Sequence, residues 1–284
     1  MSHLLGARDM ARFVARGFLR FDAVVPDAIN RAFLSESVPE AAPGTPLANV
    51  YPHGSALARL LALPLVQGAL ESLLGPAPAF DHHYKHENPA ASPEQRARGG
   101  PTSQHTHQDS SIDVQRGFDV QLMYYPHDVT RDMGPTRFVP GTHLRTVNEL
   151  SLARYQNIAG QQHLVCPAGT LLFLHHGIWH GGGANQSATA RTMFKIRMTP
   201  TSPQVRRFDV PTLSLTAVSR PIFVPRPDEP ESVESILLGV EPWFEHDTAQ
   251  LEWMARIALW RHLIGHPDWD VDYWLTRLHN PARR

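Results

Sequence analysis

The sequence predicts a mostly β core flanked by α-helices. Three observations predict it. Apolar residues at helical spacing fill the first 75 positions, strand-like runs occupy 118–125, 170–174 and 191–198, and a helical, tryptophan-rich stretch lies near the end. A chain of 284 residues, 42% hydrophobic, can bury a sizeable core. It divides as one domain, 1–284, into an N-terminal helical flank (1–79), a core carrying the site (80–200) and a C-terminal extension (201–284).

In the flank, Met10, Phe13 and Val14 share a helical face, and Gly17 is placed to stop that helix. A short strand, Phe18 to Phe21, follows. Pro26 pre-sets the first turn of a second helix carrying Ile29, Phe33 and Leu34. A third helical stretch runs from Ser55 to Leu74, is interrupted at Pro64 and ends at Gly75-Pro76. Nothing catalytic is arranged on these helices, so they read as packing elements.

Phe80 to Lys85 reads as a strand leading into the core, and 87–103, rich in Pro, Gly, Ala and Arg, as a long loop. That loop is either a substrate lid or a surface insertion. His82, His83, Lys85 and His86 either face a pocket or decorate a solvated edge. Phe118 to Tyr125 is a strand with Val120, Leu122 and Tyr124 as its buried face, and Pro126 to Met133 a polar turn region. Gly134-Pro135 and Pro140-Gly141 bracket a short strand. Ser151 to Gln162 is a polar connection with some helical character, and Pro167-Ala168-Gly169 a turn into the buried strand Thr170 to Leu174.

The last strand, Arg191 to Met198, puts Thr192, Phe194, Ile196 and Met198 on one face and Arg191, Met193, Lys195 and Arg197 on the other. Three cations on an inner face need a bulge or a barrel mouth to be tolerated. Beyond residue 200 the chain is Pro-rich, with a short strand expected at Pro221 to Val224. Asp247 then caps a helix with Leu251, Met254, Ala258 and Leu259 on one face and Gly265 and Pro267 past its end. With Trp253, Trp260, Trp269 and Trp274, this tail either covers the core or forms a dimer surface.

Candidate chemistry centres on Gln104-His105-Thr106-His107-Gln108-Asp109. On a strand, residues i and i+2 share a face, so His107 and Asp109 project side by side. A third imidazole from a distant strand would complete a two-His, one-carboxylate triad, which suits non-haem Fe(II) and leaves coordination positions open. His105 has the same parity and competes with His107. His175, His176 and His180 compete for the third place, and Trp179 with Gly181-Gly182-Gly183 favours His180, the glycines letting backbone approach the metal and co-substrate closely. His143 reads as a turn-stabilising residue and Asn185 as a support for its own turn. Gln104 reads either as a strand-end hydrogen bond or as a co-substrate contact.

The run Gly134-Pro135-Thr136-Arg137-Phe138-Val139-Pro140-Gly141-Thr142-His143 resembles a segment of the phytanoyl-CoA dioxygenase family of Fe(II)/2-oxoglutarate oxygenases. So do Gly169 to Phe173 and Trp179 to Ser187 followed by Arg191, and the resemblance spans roughly residues 8–200. It implies a double-stranded β-helix core (a cupin-like jelly roll) with N- and C-terminal helices. It also implies iron bound by His107, Asp109 and His180, the family's spacing being H-x-D. The family's 2-oxoglutarate arginine lies eleven residues past the distal histidine, where Arg191 sits. Thr136 occupies a position where relatives place a hydroxyl on 2-oxoglutarate, and Gln104 one where some place a glutamine near its carboxylate. The implied reaction uses Fe(II), 2-oxoglutarate and O2 to hydroxylate a small molecule, releasing succinate and CO2. Related halogenases replace the carboxylate at Asp109, so its presence argues against halogenation; desaturation, epimerisation and ring closure stay open.

A net charge of −1 and a pI of about 7.0 give no nucleic-acid or membrane footprint. The single cysteine excludes an internal disulfide and fits a cytoplasmic, reducing compartment. No signal peptide or membrane span is expected, and the protein is expected as a monomer or homodimer. The alternative function is a non-catalytic metal- or ligand-binding jelly roll. A zinc hydrolase is disfavoured because no H-E-x-x-H is present.

Overall fold

Left-handed Gly17 sets how the N-terminal flank meets the core. In the computed structural model, which describes residues 3–98, 100–109, 117–145, 147–148, 151–152, 156–212, 230–244, 249–269 and 271, helix α1 (Ala7–Arg16) ends at Gly17, with φ 78°. The Gly17 N–H donates to Phe13 O at 2.7 Å. Met10, Phe13 and Val14 are buried as their spacing predicts. Strand β1 (Phe18–Phe21) follows, then α2 (Asp27–Ser35), α3 (Ala56–Leu61) and α4 (Pro64–Leu74). Leu34 departs from expectation, being 44% exposed. The one-residue step from Phe33 swings it about 100° out of the Ile29–Phe33 stripe.

Seven further strands complete the core: β2 (Ala79–Asn88), β3 (Val120–Tyr125), β4 (Thr136–Phe138), β5 (Gln162–His163), β6 (Thr170–His175), β7 (His180–Gly182) and β8 (Arg191–Thr199). They pair antiparallel in a five-stranded sheet of order β1-β6-β3-β8-β2 and a three-stranded sheet of order β5-β4-β7. This is a jelly roll. The outer face of the larger sheet (Val120, Leu122, Tyr124, Leu171, Phe173, Phe194, Ile196, Met198) packs in one core with the flanking helices. The inner face (Met123, Tyr125, Leu172, Leu174, Met193) forms a second core with Phe138, Leu164 and Ile178. Both faces of β3 are therefore buried, not only the Val120–Leu122–Tyr124 face, because helices cover one side and the smaller sheet the other.

Three expectations are corrected. The segment 87–103 is not all loop. Strand β2 runs on to Asn88, and Ser92 and Gln95 make a reciprocal capping box that starts the short helix α5 (Pro93–Ala97). His143 does not serve its own turn: its buried Nε2 meets Val14 O at 3.0 Å, and its ring lies against Gly17, tying α1 to the loop after β4. After α6 (Val233–Leu237), the tail helix α7 (Ala249–Ile264) faces inward through Glu252, Arg256, Ile257, Leu259, Trp260 and Leu263, while Leu251 is 64% exposed. Two charged residues on that face are buried because they are paired. Glu252 accepts from Arg145 Nε at 2.6 Å, and Arg256 donates to Leu237 O and Gly239 O at 3.0 and 2.5 Å. Trp260 and Trp269 are buried in the first core, so α7 covers it. Asp247, the strand at 221–224, Trp274 and part of 151–162 lie outside the described residues. Among the described residues, no helix is long and apolar enough to cross a membrane.

Two predictions follow from the packing around His143. At Gly17 an added Cβ would sit 2.5 Å from His143 Nδ1, whereas at Gly54 (φ 81°) it would meet nothing within 4 Å. Gly54→Ala should cost about 1–2 kcal/mol for the backbone alone, and Gly17→Ala about 1–3 kcal/mol more from overpacking, read as shifts in denaturation midpoint. Equal shifts would contradict the packing. Burial, with Arg256 nearby, pushes the His143 pKa down to about 3, and burial takes His175 well below the ordinary value. Unfolded imidazoles titrate near about 6.5. Both folded values are depressed, so the stability is complete above about pH 6.5 and drains as pH falls towards the folded values. The thermal midpoint should decline steadily between about pH 6.5 and 4.5, and a flat profile there would contradict neutral burial of these rings.

Candidate metal centre and co-substrate cavity

His107 sits on an isolated antiparallel bridge to His180 rather than in a regular strand. The His107 N–H donates to His180 O at 2.9 Å and the His180 N–H to His107 O at 3.0 Å. Gln104 N–H adds a third bond, to Gly182 O at 3.0 Å, so 104–107 extends the smaller sheet along β7. The bridge sets the two imidazoles together, ring centroids 4.5 Å apart. Asp109, two residues on, reaches both, with Oδ1 3.2 Å from His107 Nε2 and Oδ2 3.6 Å from His180 Nε2. One ligand atom from each residue lies within 4.8 Å of the others, and this is the one such group among the described residues.

Backbone carbonyls fix the tautomers. His107 Nδ1 faces His105 O at 3.1 Å, and His180 Nδ1 faces Ile178 O at 3.0 Å. A carbonyl only accepts, so both Nδ1 atoms carry hydrogen and each Nε2 is the nitrogen turned into the cluster. This is how the far nitrogen of a metal-ligating histidine is usually held. Burial would push the His107 pKa down, but its hydrogen bonds to Asp109 and His105 O outweigh this and hold it above the ordinary value. Burial takes His180 down to about 4. For Asp109, burial is overcome by the His107 hydrogen bond and the charges at His180 and Lys195, which bring it well below the usual carboxylate range. The proton between His107 and Asp109 is the one a divalent metal would displace.

The rivals stand outside the ligand group. His105 contributes its backbone carbonyl, its ring 5.5 Å from that of His107, and His175 and His176 are stacked on each other. The glycines after His180 serve a role the sequence did not suggest. A Cβ at Gly181 would sit 2.8 Å from His105 O, and one at Gly183 2.8 Å from Pro135 O, so the close approach is backbone to backbone. Asn185 does brace its turn, donating to Asn88 O and Thr189 O at 3.0 and 2.8 Å.

A cavity of about 250 Å³ opens beside the cluster, lined by His107, His180, Gln104, Thr136, Arg191 and Lys195, among others. Arg191 is 5% exposed, and its Nε and Nη1 have no hydrogen-bond partner among the described residues. A buried guanidinium with open donors is costly unless a ligand completes it, and its planar fork suits a carboxylate. Thr136 Oγ1 lies 2.7 Å from Tyr125 OH. Gln104 Oε1 accepts from Gly182 N–H at 2.9 Å, the plain structural bond its position allows. A larger cavity, about 720 Å³, lies between α3, α4 and 46–53, away from these groups.

The cations of β8 stand as expected at an open cavity, lined by Arg191 and Lys195, with a register shift between Phe80 and His82 beside Arg197, and acids meet two of the three. Arg197 donates to Asp119 Oδ2 at 2.9 and 2.5 Å and lies 3.3 Å from Asp81, while Lys195 Nζ is 3.5 Å from Asp109 Oδ2. Sequence reasoning missed Tyr125, Gln121 (Nε2 3.5 Å from His180 Nε2), Asp81 and Asp119. Gln121, Met123 and Tyr125 form the other face of β3, and both faces are buried. Of the β2 group, His86 lines the cavity, Lys85 instead caps carbonyls of Phe33, Leu34 and Glu36, and His83 pairs with Tyr51.

The family model described as phytanoyl-CoA dioxygenase (PhyH) matches residues 22–193. No curated protein matches the chain. Among solved structures, apo HygX from Streptomyces hygroscopicus is similar at TM-score 0.54 and 14% identity, over 70% of this chain and 87% of that one. HygX with nickel and 2-oxoglutarate bound gives 0.51 and 14%, over 69% and 88%. EctD from S. alaskensis with 2-oxoglutarate and 5-hydroxyectoine gives 0.51 and 16%, over 72% and 79%. At these identities the likeness carries the fold alone.

The ligand set makes a direct prediction. Loss of outer groups around a metal typically costs 10–100-fold in affinity, so removing a ligand should cost more. His107→Ala should weaken Fe(II) or Ni(II) binding by more than about 100-fold in calorimetry, and His105→Ala should leave it within a few-fold. The reverse order would reassign the ligand.

Proposed function

The chain belongs to the phytanoyl-CoA dioxygenase family of iron- and 2-oxoglutarate-dependent oxygenases, and we propose that it hydroxylates a small molecule at the centre formed by His107, Asp109 and His180. The observation that carries this reading is the buried Arg191, whose Nε and Nη1 have no hydrogen-bond partner among the described residues, lining the same cavity as His107 and His180. Arg191 takes the far carboxylate of 2-oxoglutarate. HygX and EctD have been solved with that co-substrate, which supports the assignment.

When bound, Fe(II) with 2-oxoglutarate and O2 supplies the oxidising power, giving succinate and CO2. The protein's part is position and exclusion of water. His107 and His180 present Nε2 because His105 O and Ile178 O hold their other nitrogens. Asp109 completes the set and keeps the place a halide would need. Thr136, oriented by Tyr125, offers its hydroxyl to the carboxylate on Arg191, and Gln104 holds β7 in place beside it. Met123 and Met193 give the cavity an apolar wall. The lone thiol, Cys166, is buried and burial pushes its pKa up to about 11, which leaves it unreactive.

Succinate release by iron-loaded protein, screened against small metabolites, tests the reading. Truncating one partner of a buried, hydrogen-bonded charge pair costs about 2–5 kcal/mol, about 30-fold or more in affinity. Arg191→Ala should therefore raise the 2-oxoglutarate KM by about 30-fold or more. An unchanged KM would remove Arg191 from the co-substrate site, and no iron-dependent succinate with any metabolite would favour a non-catalytic jelly roll.

A further inference from the structure

The three cations on the inner face of β8 are not equivalent. Arg197 is engaged by Asp119 and Asp81, and Arg191 keeps two nitrogens for the co-substrate. Lys195 lies between them and lines the cavity. Its hydrogen-bond partner among the described residues is Asp109 Oδ2, at 3.5 Å the longest of these contacts. An ammonium has three donors, so Lys195 has capacity to spare. A metal at the adjacent centre would draw on the Asp109 charge and repel the ammonium, leaving Lys195 in need of another anion.

The edge strand shows what lies opposite. In the β2–β8 register Tyr84 faces Lys195, His86 faces Met193 and His82 faces Arg197. Directly opposed residues share a face of the sheet, so His82, Tyr84 and His86 stand on the same face as the cavity cations. Their rings form a ladder, with centroids 5.3 Å apart from His82 to Tyr84 and 5.4 Å from Tyr84 to His86. His86 lines the cavity, and Tyr84 is 53% exposed. Glu87, also on the cavity rim, has the opposite parity and lies within electrostatic reach of Lys85. A large open ring opposite an ammonium that has donors to spare, 3.5 Å from Asp109, has the character of a binding surface.

We propose that Lys195 and the His82–Tyr84–His86 ladder form the primary-substrate subsite, and that the substrate is an acidic small molecule. Its anionic group pairs with Lys195 Nζ, and its body lies over the Tyr84 ring. This rests on the oxygenase reading above and narrows its substrate class.

Wild-type protein and the variants Lys195→Met, Lys195→Arg and Tyr84→Ala are loaded with nickel and 2-oxoglutarate, so that no turnover occurs. Ligand-observed NMR then screens a panel of small acids, each matched with its primary amide. Acids should bind wild type in preference to their amides. Lys195→Met should weaken the acids ten-fold or more while sparing amides, Lys195→Arg should retain them, and Tyr84→Ala should weaken both. Equal binding of acids and amides, acid binding that survives Lys195→Met, or a panel with no binders would each overturn the subsite. Weakened nickel binding in Lys195→Met, without an acid preference in wild type, would reduce Lys195 to a positioning residue for Asp109. Wild-type protein that fails to take up nickel and 2-oxoglutarate would refute the oxygenase reading, and the subsite with it.

Discussion

The pair of backbone hydrogen bonds between His107 and His180 is the constraint from which the site follows. It joins a segment otherwise outside the sheets to β7, and because the pairing is antiparallel it puts both imidazoles on one side. Asp109 needs only to lie two residues further on to reach them. The pairing demands small neighbours, since a side chain at Gly181 or Gly183 would strike carbonyl oxygens at 2.8 Å. The glycine run is thus a packing requirement of the centre as well as part of the cavity wall.

Charge on β8 is the second organising feature. One strand face carries Arg191, Lys195 and Arg197 into the space between the two sheets, where desolvation is expensive. Each solution is different: Arg197 is tied to Asp119 and Asp81, Lys195 leans on Asp109, and Arg191 keeps two nitrogens without a partner among the described residues. Stability is given up at Arg191 and Lys195, the two places where ligands would return it. The site is therefore electrostatically incomplete in a specific direction, towards anions.

Much of this was legible in the sequence, for identifiable reasons. The four N-terminal helices follow apolar spacing, the break at Pro64 and the Gly17 and Gly75 stops, and the H-x-D spacing with the glycines after His180 pointed to the residues that converge. What was not legible depended on partners distant in sequence. Glu252 and Arg256 face inward on α7 because Arg145 and the carbonyls of Leu237 and Gly239 receive them, so a search for apolar periodicity chose the wrong face. The acids that meet Arg197 come from β2 and the approach to β3, and no local pattern links them. The second buried face of β3, which carries Tyr125 and Gln121, was hidden because a strand covered on both sides has no polar face to mark it.

The central claim is that His107, Asp109 and His180 hold one Fe(II) with 2-oxoglutarate beside it, anchored on Arg191. The most direct measurement is the visible absorption of anaerobic, Fe(II)-loaded protein as 2-oxoglutarate is added. The account predicts a weak metal-to-ligand charge-transfer band that saturates with the co-substrate and is missing when Asp109 is replaced by alanine. Iron bound by the intact protein with no such band at any 2-oxoglutarate concentration would contradict it.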